Sequence, residues 1–410
     1  MRIPAGHVYP VPPAVEDYAF WHKYLEVFEQ VVVLSRVRTV PIELAGCARA
    51  DGPGVVFGDL PDYLGPWQYL RCLPTLRRRV KEVVGMADAF LLRFPGAVSL
   101  LAWKSLRERG SPFGVQVVGD PWEVFSPEGV RTIVRPFVRR IWTRGLRQIC
   151  REASAVAYVS REGLQRHYPA SERAFVTHFP NVDLAGRTAS PEQLEARVAR
   201  IRAGSRPARS VMPLARLGTL GSLAQLYKGP DILLKAVAVC LAKGLNIELE
   251  FAGDGAHRPA MEALAQRLGI AGRARFLGTL PPGQAVCDLL DRLDLFVLPS
   301  RTEGLPRAMV EAMARGCPCI GSAVGGIPEL LPPEDMVPPG DADALARKIF
   351  EVLGDTDRME RMARRNWEAA KEYAPEVLVR RRREFYMKVR ELAGHGTGPS
   401  SLSDRVSEAV

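Results

Sequence analysis

The sequence predicts an α/β protein made of two doubly wound domains, each with a parallel sheet covered by helices. The chain has 410 residues, more than the roughly 100 to 200 residues of a typical domain, so two domains are expected. Its second half alternates apolar runs with amphipathic stretches, which is the pattern of successive βαβ units. Turns that contain glycine separate these segments, and each turn follows a predicted strand.

In the second half, short apolar runs predict strands and longer amphipathic stretches predict helices. The predicted strands are 211–217, 246–252, 274–277, 295–298 and 317–321. The predicted helices are 229–243, 257–268, 283–290, 306–315 and 341–353. Open sheets of this kind bind ligands at the carboxyl ends of their strands. The glycine turns lie at those ends, so a ligand site is expected there.

The first half shows the same alternation more faintly. Its predicted strands are 31–34, 55–57, 89–92, 113–118 and 155–159, with helices such as 97–109 between them. We therefore predict one domain over residues 1–182 and a second over 211–374. Residues 183–210 are polar and include one short helix candidate, 191–203, so they are interpreted as the linker. The segment 394–410 is rich in Gly, Ser and Pro and is expected to be a disordered tail.

Composition excludes several classes of protein. With 47% hydrophobic and 25% charged residues, the chain has the composition of an ordinary globular protein. No apolar run approaches the roughly 20 residues of a membrane span, and the first residues do not resemble a signal peptide, so a cytoplasmic protein is expected. The seven cysteines are scattered, which argues against a disulfide framework. Cys317 and Cys319 have no neighbouring cluster of ligands, and we expect no metal site there.

Two glutamates point to the chemistry of the second half. Glu303 follows the predicted strand 295–298, and Glu311 lies within the predicted helix 306–315. A helix N-terminus offers unpaired N–H groups and a partial positive charge, which suit a phosphate. Gly304 allows close approach of a ligand to the backbone, and Pro306 is tolerated in a first helical turn. Two solvated surface glutamates would be the alternative if this strand, turn and helix were absent.

The residues around these glutamates closely resemble the donor-site signature of retaining family-4 glycosyltransferases. The resemblance is strongest over 216–346 and is carried by 300–318, SRTEGLPRAMVEAMARGCP, and by 325–329, GGIPE. It also includes the segments GTL at 218–220, YKG at 227–229, FAGDG at 251–255, FLG at 276–278 and DLFVLPS at 294–300. It implies the GT-B fold, two facing Rossmann-like domains with the active site in the cleft between them.

The resemblance also implies roles for individual residues. Glu311 would bind the ribose of a nucleotide-diphosphate sugar, Glu303 would contact the transferred sugar, and Lys228 would neutralise the diphosphate leaving group. The remaining donor-binding candidates are Gly218, Thr219, Gly304, Leu305 and Pro306. A fixed cation at the departing phosphate lowers the barrier to its release. The alternative is that Lys228 is an ordinary exposed lysine. The helix expected at 375–393 would cross back to the first domain.

One departure from the family pattern concerns the phosphate site. Many members carry an arginine just after the first strand of the C-terminal domain, but residues 218–222 contain none. A hydroxyl from Thr219 or Ser222 could bind phosphate without supplying charge. Arg216 and Arg301 are candidates for the missing cation.

Two features of the first half have alternative interpretations. Asp120 follows a predicted strand and could contact the acceptor or the sugar, or it could be a turn residue before proline. Arginines recur at helical spacing across 131–151 with no acid among them. They are Arg131, Arg135, Arg139, Arg140, Arg144, Arg147 and Arg151. Such a helix attracts anionic lipid headgroups or glycans, or presents a solvated outer face. Nucleic acid is not expected as its partner, because no aromatic residues on which bases could stack alternate with the arginines.

The charge distribution agrees with an anionic partner for the first half. The net charge of the chain is +10, and residues 1–180 contain 24 Lys and Arg against 17 Asp and Glu, a net charge of +7. This excess indicates that the first half meets an anionic partner, which includes possible peripheral contact with the inner face of a membrane.

The sequence therefore predicts a metal-independent, retaining hexosyltransferase. It would move a sugar from a nucleotide-diphosphate sugar to a hydroxyl of a glycan, lipid-linked saccharide or small metabolite, as in polysaccharide biosynthesis, without a cofactor. The chain contains two Asp-x-Asp segments, Asp341-Ala-Asp343 and Asp355-Thr-Asp357. Both lie far from the predicted strand ends, so neither is placed where it could bind a metal ion at the site. The alternatives are a sugar-nucleotide epimerase or isomerase on the same scaffold and a catalytically silent sugar-nucleotide-binding subunit.

Overall fold

Parallel β-strands covered by α-helices make up both halves of the chain. The computed structural model describes residues 9–11, 17–39, 47–125, 135–204 and 213–394. No helix within these ranges is both long and apolar enough to cross a membrane. The Arg131 position and the predicted tail from residue 395 onward lie outside the described residues.

The N-terminal half contains eight strands and six helices among the described residues. In chain order they are β1 (Pro10–Val11), α1 (Tyr18–Leu25), β2 (Val31–Val37), β3 (Ala48–Arg49), β4 (Val55–Pro61), α2 (Gly65–Met86), β5 (Leu91–Phe94), α3 (Ala97–Arg109), β6 (Gly114–Val117), α4 (Pro121–Val124), α5 (Arg135–Glu152), β7 (Ala155–Tyr158), α6 (Gly163–His167) and β8 (Phe175–His178). Strands β5, β6, β7 and β8 form a parallel sheet in that order, and β2 pairs in parallel with β4. Helices α2, α3 and α5 pack together on the hydrophobic core of this sheet.

The C-terminal half begins with a helix and ends with one. In chain order its elements are α7 (Pro191–Ala203), β9 (Ala215–Leu220), α8 (Pro230–Ala242), β10 (Ile247–Ala252), α9 (Arg258–Arg267), β11 (Ala274–Gly278), α10 (Gln284–Arg292), β12 (Leu295–Leu298), α11 (Arg307–Ala314), β13 (Cys319–Ser322), β14 (Met336–Val337), α12 (Ala342–Leu353), α13 (Thr356–Ala370) and α14 (Pro375–Leu392). Short 3-10 helices lie between them, including Leu226–Lys228 and Ile327–Glu329.

The C-terminal sheet has the strand order of a doubly wound domain. Its six parallel strands run β11-β10-β9-β12-β13-β14. Counted from β9, this is the order 3-2-1-4-5-6, in which the connections reverse direction between the first and fourth strands. The chain therefore leaves β9 towards one edge of the sheet and β12 towards the other, which opens a crevice at the carboxyl ends of these two neighbours.

The predicted linker contains a helix that is part of the C-terminal domain. Helix α7 has the predicted bounds, and its Leu194 and Ile201 are buried in the core of that domain. The side chain of Arg197 is only 4% exposed and donates hydrogen bonds to the carbonyl oxygens of Leu290 and Leu293, both at 2.7 Å. The polar composition of this segment did not reveal that it belongs to the domain, because polar side chains such as Arg197 bind partners within the domain.

Helix α14 returns from the C-terminal half and packs on the N-terminal sheet. Tyr386 stacks on Tyr24 of α1 with ring centroids 4.7 Å apart, and Phe385 lies 5.8 Å from Phe179. A Cβ atom at Gly114 of β6 would lie 2.5 Å from Val389, so glycine lets the helix approach the sheet. The two halves are thus joined by the linker and by this helix.

Several boundaries differ from the predicted ones. Helix α11 begins at Arg307 because Pro306 adopts an extended conformation with ψ 105° and acts as the N-cap. Strand β13 begins at Cys319, two residues later than predicted. Helix α2 was not predicted at all; it contains Pro74, and its buried positions Leu76, Val80 and Val84 lie only in its second half. An internal proline and a short apolar stripe together weaken the helical pattern.

Replacing Phe385 by alanine should lower the free energy of unfolding by about 3 to 5 kcal/mol, because the side chain is fully buried between α14 and the N-terminal sheet. Met387 lies on the same helix and is 41% exposed, so Met387→Ala should change stability by about 0.5 kcal/mol or less. Chemical denaturation of both variants measures the difference. Equal losses in the two variants would contradict the packing of α14.

Candidate active site

The loops that follow β9 and β12 meet at the crevice of the C-terminal sheet. The first leads from β9 to the 3-10 helix Leu226–Lys228, and the second runs from the end of β12 to the start of α11. Both loops leave the carboxyl ends of adjacent strands, where doubly wound sheets bind their ligands. The predicted residues Lys228 and Glu303 lie on these two loops.

Lys228 and Glu303 form a largely buried ion pair. The Lys228 Nζ atom lies 2.5 Å from Glu303 Oε1, and the two side chains are 15% and 5% exposed. The hydroxyl of Ser300 donates to the same carboxylate oxygen at 2.7 Å. Breaking a buried pair of this kind is costly, because it leaves an uncompensated charge in a poorly solvated place.

Glycines allow the backbone contacts around this pair. Gly229 follows Lys228 with φ +68°, and a Cβ atom there would lie 2.1 Å from the carbonyl oxygen of Pro299 at the end of β12. Gly325 has φ +53°, and its Cβ would lie 2.0 Å from the carbonyl oxygen of Glu303. The N–H of Gly326 donates to the carbonyl oxygen of Gly304 at 2.6 Å. The loop after β13 therefore supports the loop that carries Glu303.

Glu311 lies one turn into α11, on the same face as Arg307. Burial raises the pKa of Glu311, and the neighbouring Arg187 and Arg307 partly offset this increase. Arg187 lies before α7, and its Nη1 atom is 3.5 Å from Glu311 Oε1. The sequence did not indicate Arg187, because it comes from a segment 124 residues away that was interpreted as a polar linker.

The two arginines considered for the phosphate site bind other groups. Arg301 makes a two-point contact with Asp231 of α8, at 2.9 and 2.7 Å, and donates to the carbonyl oxygen of Leu226 at 2.8 Å. Arg216 lies on β9, is exposed, and approaches Glu248 at 3.9 Å. Arg301 thus ties the loop after β12 to the segment that carries Lys228.

The remaining donor-site candidates are placed as follows. Gly218 and Thr219 lie inside β9; a Cβ at Gly218 would lie 2.4 Å from Leu293, and Thr219 is 3% exposed. Packing accounts for this glycine, and the donor-binding role of both residues stays a prediction. Leu305 is buried, whereas a Cβ at Gly304 would lie 3.5 Å from the carbonyl oxygen of Val118. Gly304 therefore lies where the two domains face each other.

Asp120 lies at the expected strand end but is fully engaged by its own domain. It caps α4 by accepting the N–H of Trp122 at 2.7 Å, and it also accepts the hydroxyl of Tyr168. The Nδ1 atom of His167 lies 3.2 Å from its other oxygen. With 5% exposure, Asp120 has the structural role that the proline after it suggested, and its contact with substrate stays a prediction.

Two contacts between the domains were not predicted. Glu329 of the C-terminal domain accepts the N–H groups of Arg161, Glu162 and Gly163 at 2.5, 3.1 and 2.6 Å, and so caps α6 of the N-terminal domain. Glu123 of α4 accepts the hydroxyl of Thr302 at 2.7 Å. The GGIPE segment contains Glu329, but no local pattern shows that this carboxylate binds the other domain.

The arginine-rich helix α5 is only partly docked. Its buried residues are Thr143, Leu146, Ile149 and Cys150. Phe137 and Ile141 lie on the same helix and are 69% and 42% exposed. Arg140 and Arg144 are exposed on the same helix, and Arg139 lies 3.6 Å from the ring centroid of Trp122, which is itself 49% exposed.

The start of α2 carries a second exposed apolar group. Leu64, Trp67 and Leu70 are 67%, 80% and 55% exposed. Helices α2 and α4 follow the carboxyl ends of β4 and β6 directly, and α5 follows α4 along the chain. The first turns of α2 and α4 thus lie at the edge of the domain where its ligands are expected.

The first aspartate of each late Asp-x-Asp segment caps a helix. Asp341 accepts the N–H of Ala344, and Asp355 accepts the N–H of Arg358, both at 2.8 Å. Within the described ranges no group of three or more His, Cys, Asp and Glu side chains could hold a metal ion. All seven cysteines are free, and burial raises the pKa of the Cys317 thiol.

Replacing Gly325 by alanine should displace the loop that carries Glu303, because the added methyl would overlap the Glu303 carbonyl. The sugar transfer that the family resemblance implies should then be greatly reduced. Gly340 is a matched control: its φ is +80°, and an added Cβ meets nothing within 4 Å. Both variants incur the strain of a positive φ, about 1 kcal/mol, but only Gly325→Ala crowds the site. Similar activities of the two variants would contradict this role for Gly325.

Comparisons with known proteins agree with this fold. Residues 215–355 match the family described as "Glycosyl transferases group 1". The chain is 25% identical over 363 residues to Protein CapJ of Staphylococcus aureus, with 85% of each chain covered. It is 27% identical to the 2-deoxystreptamine glucosyltransferase of Streptomyces kanamyceticus, covering 69% of this chain and 78% of that protein.

A solved structure shows the same arrangement of two domains. HepE of Anabaena, crystallised in complex with UDP-glucose, superposes with a TM-score of 0.58 at 20% sequence identity, covering 80% of this chain and 85% of HepE. This similarity shows that the fold is GT-B, with two Rossmann-like domains. The chain is therefore a glycosyltransferase, and its residues 215–355 form a glycosyl transferases group 1 domain.

Proposed function

We propose that the chain is a retaining glycosyltransferase that transfers a hexose from a nucleotide-diphosphate sugar to a hydroxyl group. The acceptor is a glycan, a lipid-linked saccharide or a small metabolite. The buried pair of Lys228 and Glu303 carries the proposal, because it places a cation and a carboxylate together at the switch point of the sheet. Ligands of this sheet type bind there, and both residues hold positions that the family resemblance assigns to the donor.

The donor lies along the path from Lys228 to Glu311. Its diphosphate meets the Lys228 ammonium and the N–H groups at the start of α11, where the helix dipole favours negative charge. Its ribose meets Glu311, one turn further into the helix. The carboxylate of Glu311 is already partly neutralised by Arg187, which lies close enough to contact the nucleotide as well.

The chemistry follows from the charge that develops on the leaving group. Cleavage of the glycosyl phosphate bond places negative charge on the phosphate oxygen, and the fixed Lys228 ammonium stabilises it in a site with little water. The departing phosphate takes the proton of the acceptor hydroxyl on the face from which the acceptor attacks, so the configuration at the sugar is retained. Glu303 contacts the transferred sugar, and no protein nucleophile is required.

We propose that the reaction is independent of a metal ion. Both late Asp-x-Asp segments use their first aspartate to cap a helix, which supports this proposal. A positively charged side chain at the leaving group then supplies the stabilisation that a divalent cation provides in other phosphate sites.

Glu303→Gln should reduce transfer at least about 100-fold, because the variant keeps the size of the side chain but lacks the charge that faces the sugar. Donor binding, measured by calorimetry, should change much less. Glu334→Gln, which alters an exposed carboxylate of the same domain, should transfer at the wild-type rate. Undiminished transfer by Glu303→Gln would refute the assignment. Epimerised sugar nucleotide formed by the wild type from donor alone would identify an epimerase instead.

We also propose that the N-terminal domain approaches an anionic membrane surface through α5 and α2. Phe137, Ile141 and Trp67 are exposed apolar side chains, and the arginines beside them complement anionic headgroups. Helices that combine exposed aromatic residues with basic ones lie in the interface of a bilayer. The position of α2 and α4 at the ligand edge of the domain would bring a lipid-linked acceptor towards the cleft.

Binding to vesicles of phosphatidylglycerol and phosphatidylcholine should depend on Arg140 and Arg144. The double variant Arg140→Gln/Arg144→Gln should bind about 30-fold more weakly, since each basic residue near the surface contributes about 1 kcal/mol. Arg267→Gln/Arg347→Gln removes the same charge from exposed positions of the other domain and should bind as the wild type does. Equal loss in both double variants would show only a general charge effect.

A further inference from the structure

Two carboxylates cross between the domains in opposite directions. Glu329 of the C-terminal domain binds three successive N–H groups of the N-terminal domain, those of Arg161, Glu162 and Gly163. Glu123 of the N-terminal domain binds the loop after β12, which belongs to the C-terminal domain. Hydrogen bonds from N–H groups to a carboxylate are charge-assisted and stronger than neutral ones. The two contacts therefore define how the domains meet beside Glu303.

Glu123 binds the loop that carries Glu303. Its Oε2 atom accepts the Thr302 hydroxyl at 2.7 Å, and Thr302 is the residue directly before Glu303. Burial raises the pKa of Glu123, while the Thr302 hydrogen bond partly offsets this increase. The carboxylate of Glu123 is thus partly shielded from water and is held against Thr302, the residue before Glu303 of the ion pair.

The loop itself has little regular structure to hold it. Arg301 is tied to Asp231, Gly304 accepts the N–H of Gly326, and both partners belong to the C-terminal domain. Thr302 lies between these two anchors, and Glu123 of the other domain accepts its hydroxyl. The middle of the loop therefore gains this support only when the two domains lie together.

We propose that Glu123 is a positioning residue of the transfer reaction, which fixes the loop carrying Glu303 when the domains close. The inference rests on the proposed function and deepens it, because it adds a contact from the other domain to the contacts with Lys228 and Ser300 that hold Glu303 within its own domain. Closing motions commonly complete an active site in this way. A small misplacement of a group that faces the substrate is sufficient to cost much of the rate.

The test compares Glu123→Leu, which removes the acceptor oxygens, with Thr302→Val and the double variant in steady-state transfer. Each single change should lower kcat roughly tenfold while the donor KM stays within about twofold, since the loop is misplaced but the nucleotide contacts remain. The double variant should be no slower than the slower single variant, because both changes remove one interaction. Thr302→Ser keeps the hydroxyl and should restore most of kcat.

Glu108→Leu is the matched control, since Glu108 is an exposed carboxylate on α3 of the same domain and its loss should leave kcat unchanged. Additive losses in the double variant, or wild-type kcat in both single variants, would overturn the role of Glu123. A rise in donor affinity without loss of kcat would also overturn it, because it would show that Glu123 competes with the donor. If the wild type transfers no sugar to any acceptor, the proposed function fails instead.

Discussion

The ion pair between Lys228 and Glu303 joins the two loops on which the site depends. Its nitrogen and oxygen atoms are 2.5 Å apart, and both side chains are largely shielded from water. Desolvation of two charges offsets much of the attraction between them, so a buried pair contributes little net stability. The pair lies at the switch point of the sheet, where sheets of this type bind their ligands, and its part in donor binding is our proposal.

The neighbouring structure holds these loops by close backbone contacts. Gly229 and Gly325 adopt positive φ values, and side chains at either position would overlap carbonyl oxygens of the loop at the end of β12. Arg301 then ties this loop to Asp231 and Leu226. Arg301, which was a candidate for the phosphate site, thus has a structural role. The fold brings a different cation, Arg187, to within 3.5 Å of Glu311.

Much of the C-terminal domain was predictable, whereas the N-terminal domain was predictable only in part. Helix α7 and strand β12 have the predicted bounds, because their caps, turns and apolar runs are local signals. Helix α2 was missed because Pro74 interrupts its pattern. The exposure of Phe137 was not predictable, since the sequence shows that a residue is apolar but not whether a neighbouring element covers it.

The sequence by itself determined the alternation of strands and helices and the placement of Lys228 and Glu303 after strands, because apolar periodicity and glycine turns act over a few residues. Only the tertiary structure decided which polar and charged groups meet. Arg301 and Asp231 are 70 residues apart, Arg187 and Glu311 are 124 apart, and Glu123 and Thr302 are 179 apart. Contacts over such separations arise from the packing of whole elements and domains, which no local pattern records.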